Sequence, residues 1–233
     1  MLPLPPLIFN HYINLKMKKL LSVCALALCF GAHTAHAQND PKAKTILDGV
    51  TKKVNSLKSI KANFALKLTG GKGGKITDSK KGNISIKGTK YHVMLTDQEI
   101  ICDNKTVWTY NADAKEVTIS SFNPKDQSIS PAKLLTNFYD KEYKYKYVGE
   151  RTEGGKKCDV IELTPNDASK QVMKIELLVD KASSMISGGT IWSKNGNKTQ
   201  YSISNVVTNT NMGDDLFTWN AKAHPGVETN DLR

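Results

Sequence analysis

Histidine, arginine and cysteine are scarce in this chain, and each shortage closes off a class of chemistry. Of its 233 residues five are His and four are Cys; beyond residue 37 only His92, His224, Cys102 and Cys158 remain. Neither histidine has a Cys or Asp at metal-ligand spacing, and there is no Gly-x-Ser-x-Gly elbow, phosphate loop or paired-His metalloprotease motif. His92 lies on the polar side of an alternating run and reads as a surface residue; His224 precedes Pro225 in the tail. Neither an enzyme nor a cofactor is expected. Arginine occurs only as Arg151 and Arg233, so the basic charge rests on lysines spread along every segment. Nucleic-acid sites favour arginine for bidentate contacts to phosphates and bases, and no nucleic-acid partner is expected. Long apolar runs are missing too. Leu20 to Phe30 spans eleven residues, about half of the ~20 needed to cross a bilayer, and no later run approaches it.

That run has another use. Lys16, Lys18 and Lys19 stand before it and Ala35-His36-Ala37 after it, which together make the basic region, apolar stretch and cleavage site of a secretory signal. Removal of residues 1–37, with cleavage after Ala37, is expected; Met17 reads as the true start and 1–16 as a spurious leader. Cys24 follows Leu21-Ser22-Val23 and Cys29 follows Leu26-Ala27-Leu28. Each therefore has a bulky residue where lipoprotein processing wants Gly or Ala, so release into the periplasm is expected rather than a lipid anchor. The 196 residues from 38 to 233 suit one domain with a real core. Of 33 basic and 22 acidic residues only three lysines fall in the signal. The surplus of eight that remains could steer the protein toward anionic head groups or an acidic partner. Cys102 and Cys158 fall in stretches read as strands. An oxidising compartment permits a disulfide between them, but two separate buried thiols are the favoured reading, since spacing cannot place their Cα atoms within reach of a bridge.

Asp40-Pro41 reads as an N-cap with Pro at the first helical position, and Ile46, Leu47, Val50, Val54 and Leu57 recur at helical spacing, predicting a helix over 41–57. The period then drops to two. Phe64, Leu66 and Leu68 alternate with polar neighbours up to a glycine-rich tip at Gly70 to Gly74, and short alternating runs continue through Ile84-Ile86, Tyr91-Val93-Leu95, Ile100-Cys102, Trp108-Tyr110 and Val117-Ile119. Ser130-Pro131 leading into Leu134, Leu135, Phe138 and Tyr139 predicts a second short helix. Alternation resumes from Tyr143 to Val207, with Asn195-Gly196 as the strongest hairpin signal, and an extended tail closes the chain. Asp214-Asp215 and the pair Glu150 and Glu153 read as solvated loop charges. Such a meander of about ten strands must close, or curl and be covered. The expected fold is mainly β: an unclosed antiparallel barrel of 10–11 strands, its concave apolar face covered by the N-terminal helix and short lid helices. Apolar covers over a β scaffold suit an apolar ligand.

Several segments carry a resemblance. Ile46-Leu47 through Lys58-Ser59-Ile60-Lys61-Ala62-Asn63-Phe64, Gly82 to Lys87, and above all Cys102-Asp103-Asn104-Lys105-Thr106-Val107-Trp108-Thr109-Tyr110-Asn111 resemble the bacterial outer-membrane lipoprotein carrier family LolA. Ser130 to Leu135, Ile161 to Pro165, and Phe217-Thr218-Trp219 through Pro225-Gly226-Val227 follow in family order. The resemblance implies an eleven-stranded unclosed barrel with a helical lid. It implies a monomeric shuttle that takes acylated lipoproteins from an inner-membrane ATP-driven extractor to an outer-membrane acceptor, without covalent chemistry. It also implies an acyl-chain cavity, which we place at Phe64, Leu66, Ile84, Ile86, Tyr91, Val93, Trp108, Tyr110, Leu134, Leu135 and Phe138. A lipid- or lipoprotein-binding sensor, or a phospholipid-binding module, on the same fold is the alternative. One feature departs from the family pattern: where many of these carriers place an arginine that latches the lid, this chain reads Ile86-Lys87-Gly88-Thr89. Lys87 or Lys90 would have to substitute, or packing alone hold the lid.

Overall fold

A computed structural model describes residues 40–70, 75–123 and 142–233. The export signal, the glycine tip at 71–74 and the second helix with Leu134, Leu135 and Phe138 fall outside the described residues. Helix α1 (Pro41–Asn55) begins where the sequence predicts. The Asp40 carboxylate accepts from the Lys42 and Ala43 amides at 2.8 and 3.3 Å, so two of the helix's unpaired N–H groups are satisfied. The helix ends at Asn55, two residues before the expected limit, capped by Ser56 after a basic last turn of Lys52 and Lys53. Its Ala43, Leu47 and Val50 are buried.

Everything else of regular structure among the described residues, two 3-10 turns apart, is one sheet. Its strands are β1 (Ile60–Gly70), β2 (Lys75–Lys87), β3 (Lys90–Leu95), β4 (Gln98–Cys102), β5 (Thr106–Asn111), β6 (Glu116–Ser121), β7 (Tyr143–Glu153), β8 (Lys156–Pro165), β9 (Val172–Asp180), β10 (Met185–Ser193), β11 (Lys198–Thr208) and β12 (Glu228–Asp231). The spatial order is β12-β6-β5-β4-β3-β2-β1-β11-β10-β9-β8-β7, so two antiparallel meanders join where β1 pairs with β11. The sheet does not close, and β7 and β12 form its edges. The fold class is the expected one, but the described strands number twelve. The added strand is the tail, which returns to lie parallel to β6, Glu228 opposite Glu116.

The face that carries α1, here the inner face, holds the main core. Ile60, Ala62 and Phe64 of β1 meet Ile84, Ile86 and Val93 on one side and Tyr201 and Ile203 of β11 on the other. The core continues through Ile191, Leu177, Ile161 and Tyr145 to the far edge. The helix lies over the β7 to β10 half. The predicted alternation is visible in β1, whose residues from Ile60 to Phe64 read buried, exposed, buried, exposed, buried.

Candidate functional site

Following register from strand to strand decides which side chains share the inner face, because residues paired across a ladder point to the same side. Phe64 opposes Gly82, and Ile84 opposes Val93. Val93 opposes Ile100 and Tyr91 opposes Cys102; Cys102 in turn opposes Val107. Six of the eight described cavity residues from the sequence are thereby brought together. Phe64, Ile84, Ile86 and Val93 are buried in the core, while Leu66 and Tyr91 are partly buried and pack against it. Leu95 and Ile100 border the same region, also partly buried.

Trp108 and Tyr110 do not join them. Trp108 opposes Ile101 and Tyr110 opposes Glu99, which puts both on the outer face and corrects their assignment to the cavity. There the tail covers Tyr110, which packs against Trp219 at 5.3 Å between ring centroids, and Trp219 stacks on His224 at 4.1 Å. Ile101 and Val117, on the same face, are buried. His92 is likewise no surface residue. Its side chain is 11% exposed, and Nε2 lies 2.6 Å from Glu99 Oε1 while His224 Nε2 sits 3.5 Å from Glu99 Oε2. These histidines, His92 above all, hold the Glu99 carboxyl below the usual carboxylate range. This cluster fastens the tail to the sheet.

The lysines considered as lid latches serve the same tail. Lys87 Nζ donates to Met212 O at 2.8 Å and Asp214 Oδ1 at 2.9 Å, and Lys90 Nζ is 3.3 Å from Asp214 Oδ2. Lys87 alternates with the inner-facing Ile84 and Ile86 and opposes Lys90, so both point outward, away from any inner-face lid. Asp214, expected as a solvated charge, is ion-paired by both, and Glu150 is paired with Lys181. Cys102 and Cys158 are free and buried. They stand on β4 and β8 with six strands between them, so the disulfide left open by the sequence is not made.

Sequence reasoning missed the other half of the inner face. Tyr143, Tyr145 and Tyr147 alternate along β7 and face inward with Leu163 and Ile161 opposite the latter two. Lys42 of α1 sits 3.6 Å over the Tyr147 ring, and the Tyr147 amide donates to Asp40 Oδ2 at 3.0 Å. Tyr201, at the centre of the sheet, opposes Leu66 and Gly189. A Cβ on Gly189 would come within 2.8 Å of Tyr201 Oη and 2.2 Å of Glu176 O, so glycine is what lets the ring lie across β10. Phe64 stands in the same relation to Gly82, where a Cβ would meet its ring at 2.9 Å. The alternation of these residues was visible in the sequence; their partner across the sheet was not.

A face so assembled can bury an apolar ligand. It presents a continuous apolar surface, partly exposed at Leu66, Tyr91, Leu95 and Ile100. Polar groups share it: the tyrosine hydroxyls, and Lys80, which opposes Leu66 and is ion-paired with Asp97 at 2.6 Å. Among described residues, no helix is long and apolar enough to cross a membrane.

The family model described as outer membrane lipoprotein carrier protein LolA matches residues 55–220. A Haemophilus influenzae outer-membrane lipoprotein carrier protein is 27% identical over 178 residues, covering 75% of this chain and 81% of its own. A Histophilus somni protein of the same name is 26% identical over 221 residues, covering 93% and 99%. Among solved structures, an uncharacterized conserved protein of Thermus thermophilus shares the fold at a TM-score of 0.56 and 12% identity, covering 82% of this chain and 99% of its own.

Proposed function

This chain belongs to the LolA family of outer membrane lipoprotein carrier proteins, and on that premise we propose that it is a periplasmic carrier that holds the acyl chains of lipoproteins on its inner face. It is exported, freed after Ala37 and works as a monomer without covalent chemistry. It takes cargo from an inner-membrane ATP-driven extractor and yields it to an outer-membrane acceptor. The observation that carries the reading is the continuous apolar inner face of an unclosed sheet, half of it under α1 and bordered by the partly exposed Leu66, Tyr91, Leu95 and Ile100. Residues that make an ordinary core when covers are docked accept lipid when they lift. Each buried methylene contributes about 0.8 kcal/mol, so part of one chain gives useful affinity.

Adding the mature protein to spheroplasts of its own species tests this. Lipoproteins should appear in the supernatant in complex with it. Leu66→Asp, which sets a charge among the acyl chains, should abolish release while the circular dichroism of the sheet is kept. Supernatants without lipoprotein at any concentration of the wild-type protein would sink the reading.

A further inference from the structure

Among the described residues only two buried side-chain polar atoms lack a hydrogen-bond partner, and one is the Tyr201 hydroxyl. It lies on the inner face in the core cluster, beside Leu66 and above Gly189. Phenylalanine would fill the same space without the cost of an unpaired donor. A hydroxyl in this position is therefore useful only when something brings an acceptor to it. Burial pushes its ionisation far above the ordinary phenol range, so it remains a neutral donor. What can enter an apolar cavity and carry an acceptor is restricted: water without further polar partners gains little there, and a hydrocarbon chain carries none. The acyl group of a lipid carries one at its head, the ester carbonyl.

We propose that Tyr201 is the polar anchor of the cavity, its Oη donating to an ester carbonyl of the bound lipid and so fixing how deep the acyl chains run. This rests on the carrier reading. The hydroxyl sits where the β1–β11 seam joins the two meanders, between the helix-covered half and Leu66. A carbonyl held there leaves the chains to lie along the apolar row on either side. The anchor supplies selection as well as affinity. It favours ester-linked lipid over ether-linked lipid of the same length, which burial alone does not distinguish.

The test compares two synthetic probes, a diacylglyceryl-cysteine peptide and its dialkyl ether analogue, on the wild-type protein and Tyr201→Phe. Wild type should bind the ester about fivefold to tenfold more tightly than the ether, the range of one net hydrogen bond. Y201F should bind both equally, at the ether's affinity, and melt no lower than wild type. The infrared carbonyl stretch of the bound ester should lie at lower frequency in wild type than in Y201F, a readout that a packing role would not move. Wild type that binds ester and ether alike, or Y201F that keeps the preference, overturns the anchor and leaves the carrier standing. Wild type that binds neither probe overturns both.

Discussion

Asp40 shows how much one side chain arranges here. One oxygen caps α1 and the other accepts the Tyr147 amide, while its own amide donates to Tyr145 O at 3.2 Å. The Tyr147 amide, with the helix amides behind it, holds the Asp40 carboxyl below its ordinary value. For a carboxylate depressed by folding, the stabilisation is fully present above the unfolded-state pKa, near 4, and is lost as pH falls through the lower folded-state value. Asp40→Asn should therefore lower the melting temperature at neutral pH, and the gap from wild type should close as pH falls below about 4; a gap that stays constant into the acid range would mean the charge plays no part. The cysteines allow a second check at this scale. Cys102 and Cys158 are separate buried thiols, and burial pushes the Cys102 thiol up, so it resists oxidation. Thiol titration of the denatured mature protein should find both free, and a reductant should leave the melting temperature unchanged. Loss of both thiols after growth in an oxidising periplasm would contradict the positions of β4 and β8.

At the scale of elements, the tail does what the sequence did not reveal. Its 3-10 turn at Asp214–Phe217 is held by Lys87 and Lys90, Phe217 is buried, and Trp219 and His224 close over Tyr110 and Glu99 before β12 joins the sheet. Trp219→Ala should speed hydrogen exchange in β12 and at Val117 at least tenfold while lipid binding stays at the wild-type level. Lost binding would return Trp108 and Tyr110 to the cavity. The reason the sequence misplaced them is physical. Where one face is wet, alternation marks the buried one, as in β1, and from it Phe64, Ile84, Ile86 and Val93 were legible. In β4 to β6 most residues of both faces are partly or fully buried, so Ile100 and Ile101, Val107 and Trp108 are apolar neighbours and alternation cannot say which side is which. Only the register from Tyr91 to Cys102 to Val107 does. β12, Glu-Thr-Asn-Asp and exposed throughout, has no apolar signal at all; its place is set by pairing with β6.

For the whole described domain, the consequence is a sheet that stays open without exposing ready edges. At β7 the Asp40 strap takes up backbone groups of Tyr145 and Tyr147; at the other edge β12 is short and carries Glu228 and Asp231. Both are devices that discourage a second chain from pairing. A closed barrel has an interior set by strand number and tilt, whereas an open sheet can spread around cargo of different sizes. Leu177, fully buried in the middle of the inner face, separates the stability of this sheet from its binding. Leu177→Ala should cost about 2–5 kcal/mol in urea unfolding, whereas Leu66→Asp acts mainly on binding. The central claim, that acyl chains lie on the inner face, is tested most directly by purifying the mature protein from its native periplasm, extracting it with organic solvent and identifying what leaves by mass spectrometry. Acylated lipoprotein should accompany the wild-type protein and be absent from Leu66→Asp. An empty wild-type protein, or equal lipid on both, would contradict the account.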